Sequence, residues 1–256
     1  MEILNNIRKF ITVNNLDCVL VNSTNEFLEE YTPLSENARY ILTEFSGSTG
    51  DAVVTADNVY LFVDGRYHIQ ADMEVNPDIV TVVKLQTGQT MLSEMQKLLP
   101  KKAKLGICSK KNSRSRVEKF SEYFKVQLFD NELIPINKET PKDNAEPLNI
   151  AFTGRPTPDK LRQITKNLAP DDAILITNAE EVSYLFNIRD FSKPYTAKVK
   201  AKAIAGKKLS AIYKDMEKFE QDLKLIKGQI FVDKSSISAY DYKLAGSRIA
   251  VLKQSP

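Results

Sequence analysis

The sequence contains one histidine, His68, and two cysteines, Cys18 and Cys108, among its 256 residues. A single histidine gives a Ser-His-Asp triad or a histidine-rich metal site only one possible member, and the spacings HExxH, CxxC and GxSxG occur nowhere. Each cysteine lies in a short apolar stretch typical of a buried strand, so we expect small core residues rather than a disulfide or a nucleophile. The sequence therefore predicts no catalytic residue, no metal-binding residue and no cofactor in this chain.

Long apolar runs are also missing, since no stretch approaches the roughly 20 residues that a membrane-spanning helix needs. The N-terminus has an amphipathic helical pattern rather than that of a signal peptide. Net charge is only +3, because 36 basic residues face 33 acidic ones, which is unlike a polycation built for nucleic acid. These features predict a soluble, cytoplasmic protein without a membrane or nucleic-acid partner.

Apolar residues make up 42% of the chain, enough for two packed domains. Short apolar strands alternate with helical patterns through most of the sequence, which favours an α/β fold in which each domain is a mixed sheet flanked by helices. A proline-rich stretch without periodicity interrupts this pattern before Thr157 and Pro158, which are typical of a helix start. We predict a first domain at 1–136, a linker at 137–156 and a second domain at 157–256.

Two local patterns in the second domain carry specific predictions. Asn178 is predicted to cap a helix, with Glu181 three residues later as in a capping box. Lys198, Lys200 and Lys202 alternate with small apolar residues and are expected on one face of an exposed edge strand, which lysines protect from pairing. A nucleic-acid site along the 198–208 face is the alternative, although no aromatic residues interleave with the lysines.

The loop Phe45-Ser46-Gly47-Ser48-Thr49-Gly50 resembles a phosphate cradle at first sight. It precedes the apolar strand AVVT rather than a helix, so the backbone amides of a helix start are not available for phosphate. It also lacks the lysine of a P-loop. We therefore expect a sharp turn in which Gly47 and Gly50 provide positive φ or a close backbone approach.

The turn Asp64-Gly65-Arg66-Tyr67 follows a predicted strand and precedes a helical pattern. Asp64 is predicted to be the N-cap of that helix, accepting from the amide of Arg66 or Tyr67. His68 is expected to be solvated or partly packed. Arg66 has two interpretations: its guanidinium clamps a ligand carboxylate, or it forms a structural ion pair that ties the turn to the neighbouring loop.

The segment FSGSTGDAVVTADNVYLFVDGRYHIQA resembles the N-terminal domain of the Xaa-Pro aminopeptidases, also called aminopeptidase P. The matching positions are Phe45, Gly47, Ser48, Gly50, Val53, Val54, Thr55, Asp64, Gly65, Arg66, Tyr67, Gln70 and Ala71. Upstream, Glu30, Tyr31 and Arg39 are in register with a further family segment. Phe62-Val63 replaces the more usual Trp-Thr pair.

The resemblance continues in AILITNAEEVSYLFNIRDFSKPYT and thus covers almost the whole chain. Glu181, Val182, Leu185, Asn187, Ile188 and Arg189 match, whereas Tyr184 replaces the common Trp and Asp190 the common Gly. The resemblance implies two tandem creatinase N-terminal-like domains, with the catalytic pita-bread domain absent. Whether the chain is part of a longer protein or a shortened relative stays open.

Members of this family release the residue before a proline with two metal ions, usually manganese, held in the C-terminal domain. The resemblance therefore implies that this chain supports oligomerisation and shapes the substrate cleft, with its own catalytic domain, a second copy and peptides with proline at the second position as partners. The candidate surface comprises Arg39, Ser46, Gly47, Ser48, Gly50, Asp64, Arg66 and Tyr67. A stand-alone binding or scaffold protein is the alternative.

Overall fold

The structure is a computed structural model that describes residues 2–136, 144–193 and 195–252. The chain divides into two compact units, the first formed by Met1–Asn25 with Glu30–Glu139 and the second by Glu26–Glu29 with Thr140–Pro256. Within the described ranges, every helix is too short or too polar to cross a membrane.

The first unit is a six-stranded mixed sheet with helices. Its elements are α1 (Glu2–Val13), β1 (Cys18–Val21), a 3-10 helix (Leu34–Glu36), α2 (Ala38–Thr43), β2 (Asp51–Thr55), β3 (Val59–Val63), α3 (His68–Glu74), β4 (Val80–Lys84), α4 (Met91–Leu98), β5 (Lys104–Cys108), α5 (Arg114–Ser121) and β6 (Lys125–Phe129). The strand order is β4-β3-β2-β1-β5-β6. The β1-β2 and β2-β3 pairs are antiparallel and the other pairs are parallel.

One face of this sheet carries a core to which α1 and α3 contribute. Ile7 and Ile11 of α1 and Ala71 of α3 pack there with alternate residues of the central strands, such as Val19 and Val54. This follows from sequence, because helical spacing places one stripe of α1 on the sheet, and strand spacing turns every second residue toward it. Cys18 and Cys108 are buried free thiols, as predicted, and burial raises the pKa of Cys18 to about 12.

The second unit contains a five-stranded mixed sheet and a small two-stranded sheet. Its elements are β7 (Ala145–Pro147), α6 (Ile150–Thr153), α7 (Thr157–Thr165), β8 (Ala173–Ile176), α8 (Ala179–Leu185), β9 (Ile188–Asp190), β10 (Lys202–Gly206), β11 (Ser210–Tyr213), α9 (Met216–Leu225), β12 (Ile230–Val232), α10 (Ala239–Ala245), a 3-10 helix (Gly246–Arg248) and β13 (Ile249–Val251). The order of the larger sheet is β11-β10-β8-β12-β13, and β7 pairs with β9.

Helices cover both faces of the larger sheet. Leu175 of β8 packs with Phe219 and Leu223 of α9, whereas its neighbour Ile176 packs with Val182 of α8. Adjacent strand residues point to opposite faces, so β8 contributes to both cores. The predicted fold class, two α/β units with mixed sheets and flanking helices, is confirmed.

Local predictions in the second unit had different outcomes. Asn178 caps α8, and its side chain accepts from the amides of Glu180 and Glu181 at 2.8 and 3.4 Å, as predicted. The predicted linker falls partly on 137–143, outside the described residues, and its remainder contains β7 and α6. The domain bounds stay predictions.

The edge-strand prediction for the lysines is wrong. Lys202 begins β10, which pairs with β8 on one side and β11 on the other, so this strand is internal. Lys202 is buried against Asp241, and Lys198 lies before the strand with its Nζ 3.2 Å from Glu180. The alternating lysines therefore do not form one exposed face for nucleic acid.

Candidate functional site

The sheet of the first unit brings the predicted loop and turn together. The loop 45–50 precedes β2 and the turn 64–67 follows β3, and these strands pair antiparallel with Asp51 opposite Phe62. The start of β2 therefore lies beside the end of β3, so the loop and the turn meet at the same end of this strand pair. We call residues 45–50 and 64–67, with the side chains that hold them, the loop-turn site.

Arg39 of α2 supports the loop from beneath. Its side chain is 0% exposed; Nη1 donates to the Phe45 carbonyl at 2.7 Å and Nη2 to the Gly47 carbonyl at 2.5 Å. The guanidinium also lies 4.6 Å from the centroid of the Phe45 ring. Burial lowers the pKa of Arg39 to about 10, although nearby acidic groups oppose the shift. The structure thus places Arg39 under the predicted surface rather than on it.

A carboxylate that the sequence did not single out, Glu74 of α3, holds the start of the loop. Its oxygens accept from the Ser46 amide at 2.7 Å and the Ser46 hydroxyl at 2.8 Å. Gln70, one helical turn earlier, donates to both Ser46 Oγ and Glu74. Burial alone would raise the pKa of Glu74, but the hydrogen bonds from Ser46 and Gln70 outweigh this effect, and the net result is a lowered pKa. In the sequence, the four-residue spacing of Gln70 and Glu74 places both side chains on one helix face and was the signal for this pair.

Ser48 and Tyr67 join the loop directly to the turn. Ser48 Oγ and Tyr67 Oη lie 2.9 Å apart, and the Ser48 amide donates to the same phenol oxygen at 3.3 Å. The Tyr67 ring packs edge-on against Phe45, with centroids 5.6 Å apart. A Cβ on Gly47 would lie 2.3 Å from Phe45 Cζ and 2.9 Å from Tyr67 Cδ1, which explains why glycine is needed between these rings.

Arg66 and Asp64 form an exposed ion pair, with 2.8 Å between Arg66 Nη2 and Asp64 Oδ2. Arg66 also donates to the Thr49 hydroxyl at 3.1 Å, so it ties the turn to the loop, as the structural interpretation predicted. The hydrogen bond from Arg66 lowers the pKa of Asp64 to about 2. The arginine is held in place while its side chain remains 64% exposed.

The N-cap prediction for Asp64 is wrong. The helix α3 begins at His68, and its N-cap is Tyr67, which makes no side-chain capping bond. The predicted hydrogen bond is nevertheless present, because Asp64 Oδ1 accepts from the Arg66 amide at 3.0 Å, and the aspartate thereby shapes the turn before the helix. His68 itself is partly buried, as expected, and in the described ranges no group of three His, Cys, Asp or Glu side chains could hold a metal ion.

Gly50 is required by the backbone at the end of the loop, where its φ is +113°. A Cβ there would lie 2.7 Å from the Phe62 carbonyl oxygen. We expect Gly50→Ala to reduce the free energy of unfolding of the first unit by about 2 kcal/mol, from φ strain and the backbone clash.

Amide hydrogen exchange in β2 and β3 would measure this loss. Gly65→Ala is the matched control, since nothing lies within 4 Å of its Cβ position and its φ is not positive. Equal protection in both variants would contradict the prediction.

The hydroxyl groups of the loop-turn site are engaged by other side chains. Ser46 bonds to Glu74 and Ser48 to the Tyr67 phenol, and within the described residues neither serine forms a hydrogen bond with His68, so no serine-histidine pair is in place. Ile69 and Met73, spaced four residues apart on α3, are 76% and 81% exposed, and Arg66 precedes Ile69 by three residues in the chain. We call Arg66, Ile69 and Met73 the α3 surface, which combines a cation with apolar side chains.

The fold defines a class of two tandem α/β units, each with a mixed sheet of antiparallel and parallel strands. The chain belongs to the creatinase/prolidase N-terminal domain family. One family model with that description matches residues 4–140, and a second with the same description matches residues 137–255. The resemblance drawn from the loop-turn motifs is confirmed.

Relatives with this sequence pattern are longer proteins. Aminopeptidase P1 from Lotus japonicus is 28% identical over 93% of this chain, which spans 37% of that protein. Aminopeptidase P1 from Arabidopsis thaliana is 26% identical over 86% of the chain, which spans 36% of its length. The chain thus spans little more than a third of these relatives.

A solved X-prolyl aminopeptidase from Caenorhabditis elegans has the same fold over 98% of this chain and 49% of its own. The TM-score is 0.79 and the sequence identity 18%. That structure is described as a cytosolic enzyme with a di-nuclear active site.

Proposed function

We propose that this chain is the non-catalytic N-terminal region of an Xaa-Pro aminopeptidase, where it shapes the substrate cleft and supports assembly. The observation that carries the proposal is the match of family models to both units, combined with relatives of which the chain spans little more than a third. Peptides with proline at the second position would be the substrates of the whole enzyme.

The chemistry of the described residues supports this division of labour. A two-metal centre needs several carboxylate and imidazole ligands together, and the described ranges hold no such group. The two metal ions, manganese in our proposal, would therefore be held by a catalytic domain outside this sequence. The residues that the structure describes do not fit the metals, so no catalytic step is assigned to them.

The α3 surface is the proposed contact with the catalytic domain and its cleft. Exposed Ile69 and Met73 favour coverage by another protein surface, because apolar side chains gain free energy when water is removed. Arg66, fixed by Asp64 and Thr49, would present its remaining donors to a peptide carboxylate or carbonyl. We further propose that the enzyme is cytoplasmic and homodimeric.

A chimera tests the proposal: this chain replaces the corresponding region of the Lotus japonicus aminopeptidase P1. Release of the first residue from a proline-second peptide is measured with manganese for the chimera, for the remaining Lotus part alone and for this chain alone. We expect activity of the chimera well above that of the Lotus part, and none from this chain. Turnover by the 256-residue chain itself would refute the proposal.

Arg66→Ala in the same chimera tests the α3 surface. We expect KM for a long peptide to rise about tenfold, or the oligomer to dissociate, because a charge-assisted contact is lost. Arg162→Ala is the matched control, an exposed arginine of the second unit. Unchanged KM, kcat and oligomer size in Arg66→Ala would remove the α3 surface from the proposal.

A further inference from the structure

The second unit contains a surface pocket of about 180 Å³ that is independent of the loop-turn site. It lies between α7 and α8, and Ile164, Ile176 and Leu185 supply its apolar lining. Lys160, Arg155 and Tyr184 line it as well, so the pocket combines aliphatic walls with two cationic side chains.

Lys160 is a buried cation with only neutral partners. Its side chain is on α7 and the residue is 4% exposed. Its Nζ donates to the Tyr184 carbonyl and to Asn187 Oδ1, each at 2.6 Å, and lies 3.7 Å from the centroid of the Tyr184 ring. In the described ranges no carboxylate forms an ion pair with this ammonium. A charge taken out of water without a counter-ion costs free energy, so this group favours an anionic ligand.

Neighbouring charges strengthen that preference. Burial lowers the pKa of Lys160, and the positive charges of Arg189 and Arg155 lower it further. Arg189 also donates to neutral carbonyls, those of Ser183 and Ile188. Glu181 is the acidic side chain that lines the pocket, so its carboxylate offsets only part of the positive charge.

We propose that this pocket binds a small organic carboxylate, with its oxygens at Lys160 and Arg155 and an aliphatic group against Ile164, Ile176 and Leu185. Two charged donors and an apolar wall match a carboxylate that carries a short branched chain, and the volume admits a molecule of that size. Such a group occurs in free branched acids and at the C-terminus of a peptide that ends in leucine.

Methyl NMR of the 256-residue chain tests the proposal with three probes. These are 4-methylpentanoate, its amide 4-methylpentanamide, and N-acetyl-glycyl-leucine as a peptide terminus. We expect saturable shifts of the Ile164, Ile176 and Leu185 methyl groups with at least one carboxylate, at millimolar affinity, and binding of the amide at least tenfold weaker. The tighter of the two carboxylates identifies the source of the ligand.

Three variants test which cationic side chains bind the carboxylate. Lys160→Met is expected to weaken carboxylate binding at least tenfold, and Arg155→Gln, at an exposed position that should fold normally, about threefold. Lys166→Met is the matched control, since it removes an exposed lysine at the end of the same helix and should bind as the unaltered chain does. Equal binding of acid and amide, unchanged binding in both Lys160→Met and Arg155→Gln, or no shift at the three residues would overturn the proposal.

Discussion

Replacing Arg39 with methionine is expected to reduce the free energy of unfolding of the first unit by about 3 kcal/mol. Methionine fills much of the same space but leaves the carbonyls of Phe45 and Gly47 without donors, and each unpaired buried group costs about 1–3 kcal/mol. Part of the loss is offset, because the desolvation that lowers the pKa of Arg39 is relieved. Loss of the contact with the Phe45 ring adds to the cost.

The two units need not unfold together, so a single denaturation midpoint does not measure this effect. Amide exchange followed by mass spectrometry separates peptides of β1 to β3 from those of β8 to β10. We expect lost protection in the first group and unchanged protection in the second. The matched control is Arg66→Met, which removes an exposed arginine from the same site and should leave protection nearly unchanged.

Arg39→Lys tests the geometry of the contact. Lysine keeps the charge but not the planar fork that bonds two carbonyls at once, so we expect an intermediate loss. If Arg39→Met and Arg66→Met gave the same protection, Arg39 would not hold the loop.

The meeting of loop and turn could be predicted from sequence, and the side chains that fix it could not. Two apolar runs separated only by Ala56, Asp57 and Asn58 predict a hairpin, and β2 and β3 do pair antiparallel, which brings neighbouring ends of these strands together. The roles of Arg39 and Glu74 depend on how α2 and α3 pack on the sheet. Sequence spacing carries no information about such tertiary contacts, and an arginine is rarely buried.

The misplaced edge strand has a similar physical cause. Alternating lysines are typical of an edge strand, because a charged side chain has its lowest free energy in water. Lys202 departs from that rule because Asp241, 39 residues later, supplies a counter-ion inside the second unit. A sequence pattern carries information about a strand and its near neighbours, whereas burial of a charge depends on a partner that only the folded chain supplies.

Breaking the buried pair of Lys202 and Asp241 is expected to have the largest effect of any single substitution in the second unit. Both oxygens of Asp241 lie 2.8 Å from Lys202 Nζ, and Ser238 Oγ donates to Oδ2 at 2.7 Å. Asp241→Asn keeps the shape but leaves a buried ammonium without its counter-ion, which costs about 3–5 kcal/mol. Amide exchange in peptides of β8 and β10 would measure the loss.

A double-mutant cycle separates the interaction energy between Lys202 and Asp241 from the effect of each single substitution. Lys202→Met alone leaves a buried carboxylate unpaired and should be similarly costly, whereas Lys202→Met with Asp241→Asn removes both charges and should recover much of the loss. Lys208→Met with Asp171→Asn is the matched control, an exposed pair with 2.6 Å between Nζ and Oδ1, for which we expect little change. If the two single losses at Lys202 and Asp241 simply added in the double variant, the charges would not be coupled and the pair would not stabilise the sheet.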